Sequence, residues 1–500
     1  MKNCPAWILL SRDTASAYSL MPSHRSLTWT TDALTYINSP YPESHIITRC
    51  WRACYSLRKM IMVKNIENAY YHALLSSLEM KICVFEDGSV RNLYPLTMTR
   101  AAFELRVGMS SLLQKVLNRM LRGLKYDEVY LEVRDYLTPV VRNRYPMYRV
   151  NEYKPIDDTL FINSRLLYTG EELEFGEEVV AMREGSIAYA YARSSTLESL
   201  KGASMGEVLQ HLCRELSCKE SEVRLIEWPW DLVKYNSEML TKEFAWRGRS
   251  RVQEGIEVVG ERDMVYIDPS VRVYPHVVVD CEEGPVYIDR DVRIYPYTFI
   301  QGPSYIGRGT YIMPCARIRE GCSIGPVCRV GGEVEESIIH GYSNKYHDGF
   351  LGHAYVGEWV NLGAMTTNSD LKNDYTEVQV FINGKPVDTG ELKVGAFIGD
   401  HAKTSIGTYL ITGAVIGIMA NVLAPDISPK YVPPFTWYVK GIFSRGFGLR
   451  RALRTAETMM SRRGVKLSEE ERRMYEYLYE VTKRERETYI KRSRRRIMRR

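Results

Sequence analysis

Aliphatic residues recur at every sixth position through the middle of this chain. Ile288, Ile294, Ile300, Ile306, Ile312, Ile318, Ile324 and Val330 form an unbroken series. The same step returns at Ile267, Val273 and Val279, at Phe350, Val356 and Leu362, and at Ile398, Thr404, Leu410, Ile416 and Val422. An amphipathic helix repeats near ~3.6 residues and a half-buried strand at ~2, so neither accounts for a step of six. A three-sided coil of short parallel strands does, because each hexapeptide makes one flat side and a corner while its aliphatic residue points inward. Glycine, aspartate or proline commonly follows the aliphatic position, as in IGRGTY, IGPVCR, VGEWVN and IGDHAK, which suits tight corners. The pattern predicts a parallel β-helix over residues 264–425. Its flat outer faces are natural subunit contacts, so a cyclic homotrimer with sites between neighbouring prisms is expected.

The rhythm is expected to break after Val330, resume at Phe350, and break again between Ala364 and about Leu392. Interruptions of a regular solenoid are where binding and catalysis concentrate. Upstream the pattern changes. Residues 80–108 (MKICVFEDGSVRNLYPLTMTRAAFELRVG) open with a strand-like apolar run, pass a glycine turn and continue into a helix-like stretch. The segment 80–250 is read as an α/β domain and 264–440 as the β-helix domain. Residues 1–79 mix Ser, Thr, Tyr and Pro without clean periodicity, apart from a few helical turns around 50–79; an upstream extension and a real appendage both stay open. Residues 441–500 are read as a basic helical tail, with Ser468 and Glu471 spaced as a capping box and mixed charges typical of a solvated helix.

Composition adds limits. A chain of 500 residues, 45% hydrophobic and 26% charged, is ample for two or three domains with cores. No apolar run approaches the roughly 20 residues of a bilayer span, and a cytoplasmic location is the expectation. The ten cysteines lack a C-x-x-C pair, so neither a zinc ribbon nor a disulfide framework is signalled. The net charge of +6 sits in the last ten residues, KRSRRRIMRR, which carry seven positive charges and leave the rest near neutrality. Nucleic acid is thus not an expected partner except through this tail, whose basic end is also a candidate contact for acidic lipid or a neighbouring subunit.

The stretch HDGFLGH followed by VGEWVNLGA, from His347 through Asn361, resembles the acetyltransferase domain of the bifunctional enzymes that acetylate glucosamine-1-phosphate and then uridylylate it. The resemblance covers roughly 160 residues of prism and implies a left-handed β-helix of hexapeptide repeats that moves an acetyl group from acetyl-CoA to an amino-sugar-1-phosphate. Such transfer needs a base near neutrality, and histidine is the side chain suited to it. His347 is therefore the candidate base and Asn361 the candidate orienting amide. Lys345, Arg319 and Lys372 are candidates for the sugar phosphate, with Phe350 and Asn368 beside them. His353 stands where that family often carries Asp. The bland alternatives are a hydrogen-bonded loop histidine and a corner asparagine.

Three upstream blocks, 80–108, TLFINSRLL at 159–167 and EWPWDLVKYNSEML at 227–240, look like the divergent sugar nucleotidyltransferase-like domains fused to such prisms. This resemblance implies a nucleotide-diphospho-sugar type α/β domain that transfers a nucleotidyl group from UTP or dTTP to a sugar-1-phosphate. The usual G-x-G-T-R is replaced here by a single glycine. Gly88, Arg91, Arg100, Arg106 and Asn163 are then the nucleotide-binding candidates, and Asp231 the candidate Mg2+ ligand. The rival reading is a non-catalytic trimeric scaffold or regulatory protein of the same fold.

Overall fold

The computed structural model describes residues 80–498 apart from 172, 174–176 and 424–426, so the extension 1–79 lies outside the described residues. Two layers of organisation meet in it. Strands β1 (Met80–Phe85), β2 (Tyr126–Glu132), β3 (Arg149–Val150), β4 (Thr159–Asn163), β5 (Val179–Arg183), β6 (Ser186–Ala192) and β7 (Cys218–Glu220) form one sheet in the order β7-β5-β6-β4-β1-β2-β3. All neighbours are parallel except those of β6, which runs against both β4 and β5. β1 reads MKICVF and is buried along nearly its whole length, as a central parallel strand covered on both faces must be. The strand order reverses beside β1, so the crevice beyond the ends of β1 and β4 is where such sheets take ligands.

From Glu257 to Val439 the chain winds as the parallel β-helix expected from the repeat. The aliphatic series lines its interior: Ile288, Ile294, Ile300, Ile306, Ile312, Ile318, Ile324 and Val330 are all buried in one continuous core. One face carries nine strands from Val265–Ile267 to Tyr431–Val432. A second runs from Glu257–Val259 to Phe350–Gly352, and a third from Arg272–Val273 to Asn344–Lys345.

The rhythm breaks after Val330 as expected, but the coil does not. Ile300 pairs with Ile318 eighteen residues on, whereas Ile318 pairs with Val334 and Ile324 with Ile339, because the corners there are shorter. The coil continues while its six-residue step is lost. Phe350 consequently falls on the outer side of its strand, and Leu351, paired with Val334, takes the interior place. The later interruption is real and holds the hairpin Gln379–Ile382 with Lys385–Asp388.

The α/β domain lies against the nine-stranded face and shares a core with it. Leu93, Leu96, Leu105 and Trp230 pack with Ile338, Tyr355, Phe397 and Val415. Helix α1 (Thr138–Arg144) lies at the edge of this domain, α2 (Pro229–Lys234) contributes Trp230, and α3 (Asn236–Arg247) sets Leu240 and Phe244 on the tyrosine column Tyr266, Tyr287 and Tyr305.

The tail is not a solvated helix. It forms α4 (Leu449–Ser461), α5 (Glu469–Val481) and α6 (Lys483–Met498). Leu453, Ala456 and Met460 on α4, and Met474, Tyr475 and Leu478 on α5, recur at helical spacing and are buried. The Ser468–Glu471 capping box starts α5 as read from the sequence. Tyr477 of α5 stacks on Tyr136 of the α/β domain, and Tyr475 and Tyr479 meet His401 and Phe435 of the β-helix edge-on. These helices cap both domains.

Candidate functional site

A cleft of about 650 Å³ opens on the third face, between two corners of the coil. His347 sits at one corner, exposed, with its ring 4.9 Å from that of Tyr346. Tyr342 and Trp359 stack at 4.4 Å along the other, and both adopt positive φ, as this corner of the coil repeatedly does. Asn361 lies on the floor between them, where its side-chain oxygen accepts from Asn344 Nδ2 at 3.2 Å. His347 and Asn361 therefore line one cleft, and Gly363 and Ala364 lie beside them.

Lys345 belongs elsewhere than the sequence suggests. It pairs with Val330, in the inward column that the aliphatic residues fill in other coils, and is buried. Its ammonium donates to the carbonyls of Gly331 and His347 at 2.9 and 2.7 Å, and burial pushes its pKa down to about 8. Such a group supports the histidine corner from beneath and does not face a sugar phosphate. Asn368 is likewise buried: its amide accepts from Gly352 N and donates to Gly352 O, both at 2.8 Å, closing the ladder of the second face. Arg319 and Phe350 lie on that second face, with Arg319 among Glu320, Glu333 and Glu335. Lys372 sits in the inserted loop, where its ammonium bonds Thr376 and the Glu377 carbonyl. None of these five lines the cleft.

The cleft has members that the motif did not indicate. Arg329, Arg462 and Arg463 line it, the last two from the turn that ends α4. Arg-Arg-Gly at a helix end is visible in the sequence, but nothing in one sequence sets that end beside the prism.

The nucleotide-binding candidates have internal partners. At the crevice beyond β1 and β4, Arg165 is fully buried and grips both oxygens of Asp87, at 3.0 and 2.7 Å, while its other arm meets Glu227. Asn163 donates to Asp87 at 2.8 Å. Gly88 opens a short 3-10 turn capped by Asp87, and the Arg91 carbonyl accepts from Asn383 of the inserted hairpin. Arg100 leaves the crevice altogether and pairs with Asp400 at 2.5 Å and Glu358 at 3.2 Å across the domain interface. Arg106 donates to the Met109 carbonyl, and its backbone N–H donates to the Tyr355 hydroxyl. The crevice is filled by charges of the chain itself.

Asp231 does not fit a Mg2+ site. Its Oδ2 accepts from the backbone N–H groups of Glu227 and Trp228 at 2.9 and 2.8 Å, so it closes the first turn of α2, and burial raises its pKa to about 6. A carboxylate with one oxygen committed to two backbone N–H groups offers a divalent cation only its other oxygen. Glu335, His353 and Asp370 bring three ligand atoms within 4.8 Å of one another, but Arg319 and Lys393 already approach Glu335 and His353 meets Asp370 at 2.9 Å.

Fold and cleft together describe a hexapeptide-repeat β-helix with an acyltransferase-like corner, joined to a nucleotidyltransferase-like sheet. Residues 82–252 match the family model for sugar nucleotidyl transferases. A bifunctional sugar-1-phosphate nucleotidylyltransferase/acetyltransferase of Sulfurisphaera tokodaii is 28% identical over 235 residues, covering 45% of this chain and 53% of the relative. A bifunctional protein GlmU of Gloeobacter violaceus is 32% identical over 140 residues, covering 26% and 30% respectively. The resemblance read from the motifs is borne out by these matches, and the chain spans about half of the first relative and about a third of the second. Among the described residues, no helix is long and apolar enough to cross a membrane.

Proposed function

We propose that this protein is an enzyme of nucleotide-sugar synthesis whose third-face cleft transfers an acetyl group from acetyl-CoA to the amine of an amino-sugar-1-phosphate. The observation that carries the reading is the joint presence of His347 and Asn361 in one cleft, at the motif that resembles the acetyltransferase domain. His347 accepts the amine proton as nitrogen attacks the thioester carbonyl, and Asn361 orients one of the reacting groups by hydrogen bonding. The carbon–nitrogen bond forms, the carbon–sulfur bond breaks, and the thiolate leaves with the proton returned by the histidine. Phe350 follows the His347 corner onto the second face and serves the acceptor if a second chain closes over that edge, whereas Arg319 stands at the far end of the same face.

A homotrimer supports that closure. The nine-stranded face is covered by the α/β domain, which leaves the other faces for subunit contacts. Light scattering at micromolar concentration should report about three chains, and a strict monomer would remove the shared site.

For the α/β domain a second reading has its own observation. Arg165 fills the crevice at the strand ends with Asp87 and Glu227 paired to it, which favours a domain that keeps the nucleotidyltransferase fold as a support over one that turns over UTP or dTTP. The deciding experiment offers purified protein acetyl-CoA with glucosamine-1-phosphate and follows thiol release, then offers UTP or dTTP with sugar-1-phosphates and follows pyrophosphate. Thiol release without pyrophosphate is the expected result. Absence of both sinks the enzymatic reading and favours the scaffold.

A further inference from the structure

The cleft contains three arginines and no carboxylate. Arg329, Arg462 and Arg463 all line it, and none of them makes an ion pair among the described residues. Arg100, Arg134 and Arg165, by contrast, are neutralised by Asp400, Glu86 and Asp87. Three guanidinium groups left together in a recess form an unbalanced positive field, and an anion is what balances it.

Two of the three arginines are held in place. Arg329 lies 3.6 Å from the centre of the Tyr311 ring, and its Nη1 donates to the carbonyls of Gly309 and Cys328. Arg463 Nη2 donates to Asn344 Oδ1 at 3.1 Å, which ties it through Asn344 to Asn361 on the cleft floor. Its Nε is buried and has no partner. Arg462 and Arg463 are delivered by the end of α4, where the N–H groups of Arg463 and Val465 return to the Met460 carbonyl and Gly464 takes φ +71°. That left-handed turn favours glycine and ends the helix just after the two arginines. Burial and the nearby Arg463 charge lower the Arg329 pKa, as repulsion between two like charges awaiting a counter-ion requires.

The flat walls narrow the ligand further. Tyr342 stacked on Trp359, and Tyr311 beneath Arg329, offer ring faces next to the guanidinium groups. Arginine forks match phosphate oxygens, and aromatic faces match a base or sugar face.

We propose that Arg329, Arg462 and Arg463 form a phosphate-binding subsite of the cleft, completed in cis by the C-terminal helices, for a phosphate ester that also carries a ring to stack. The inference rests on the acyl-transfer reading only for which molecule bears that phosphate: the nucleotide end of coenzyme A or the acceptor sugar phosphate. The C-terminal cap is then part of the ligand site and not only a lid on the core.

Calorimetric titration of the full chain tests this with four probes: coenzyme A, 3′-dephospho-coenzyme A, glucosamine-1-phosphate and glucosamine. In Arg462→Gln/Arg463→Gln, and separately in Arg329→Gln, affinity for the phosphate-bearing probe should fall about 10- to 100-fold, as expected for lost charge-assisted bonds. Loss confined to coenzyme A assigns the subsite to the donor, and loss confined to glucosamine-1-phosphate assigns it to the acceptor. Glucosamine should be indifferent. Arg462 is exposed, so its single variant folds even if the double one does not, and native affinity should weaken steeply with salt. Affinities unchanged in every variant, or a native affinity flat with salt, overturn the subsite. His347→Ala keeps this binding in either case. Phosphate binding by a native protein that shows no thiol release retires the acyl-transfer reading and leaves the subsite standing.

Discussion

The ammonium of Lys345 lies 2.7 Å from the carbonyl oxygen of His347 and holds the corner of the coil on which that imidazole stands. Its stem occupies a place in the aliphatic column, beside Val330, so the coil replaces a buried methyl group with a buried cation just where the candidate base leaves the prism. Substitution by Met keeps the volume and loses both donations. The histidine corner is then free to shift. Thiol release by Lys345→Met should drop roughly 10- to 100-fold through misplacement of the base, with KM for acetyl-CoA little changed. A variant as fast as the native protein would separate the lysine from the site.

The same lysine predicts how stability varies with pH. Burial holds Lys345 at about 8, against 10.5 in the free side chain, and Lys403 is lowered to about 8 by the same cause. Below about pH 8 both folded and unfolded chains carry the proton, and the cost of the buried charge is fully present. Between about 8 and 10.5 the unfolded chain binds more protons than the native one, so these lysines make stability rise with pH. Urea unfolding of native protein and Lys345→Met across this window isolates one contribution. The native protein should gain on the variant as pH rises; a constant difference would mean that Lys345 titrates normally.

His347→Ala should stop acetyl transfer and spare the fold. The side chain is exposed at its corner, so truncation opens no core cavity, whereas loss of a general base costs about 100- to 10,000-fold in rate. Circular dichroism and the oligomeric state should match the native protein. Equal rates in the two proteins would move the base elsewhere and give the scaffold reading its best support.

The β-helix was legible because its inward residues repeat at a fixed step over many coils, and Ile288 to Val330 keep that step without a gap. Legibility failed where the coil shortened. Between Val330 and Leu351 the register advances by fewer residues per turn, so Phe350 was read as the inward residue in place of Leu351, and Lys345 as a surface cation. The placement of His347 and Asn361 in one cleft was legible because the motif marks both. Arg463 could not be read the same way, since its position depends on α4 folding back over the prism. The arginines near Gly88 illustrate the opposite error: Arg100 looks like a phosphate ligand by composition, yet its partners Glu358 and Asp400 lie far along the sequence.

That partnership gives the remaining prediction. Arg100 is buried between the α/β domain and the nine-stranded face, and Asp400 also accepts from Thr99 at 2.6 Å and from the Glu358 N–H at 2.8 Å. Removing the guanidinium leaves the buried Asp400 carboxylate beside the half-buried one of Glu358 with no cation between them. Arg100→Ala should cost about 3–5 kcal/mol, as loss of one partner from a buried ion pair does. Arg100→Leu with Asp400→Leu should recover part of that loss, because the more buried of the two carboxylates goes too. Denaturant unfolding of the single and double variants measures the coupling, and titration with UTP and dTTP provides the contrast. A residue that served as a phosphate ligand would weaken nucleotide binding while leaving stability nearly intact. The expected result is the reverse: a large loss of stability, partly rescued in the double variant, with no change specific to nucleotide. Stability unchanged in Arg100→Ala, together with weakened UTP binding, would return Arg100 to the crevice that its sequence position first suggested.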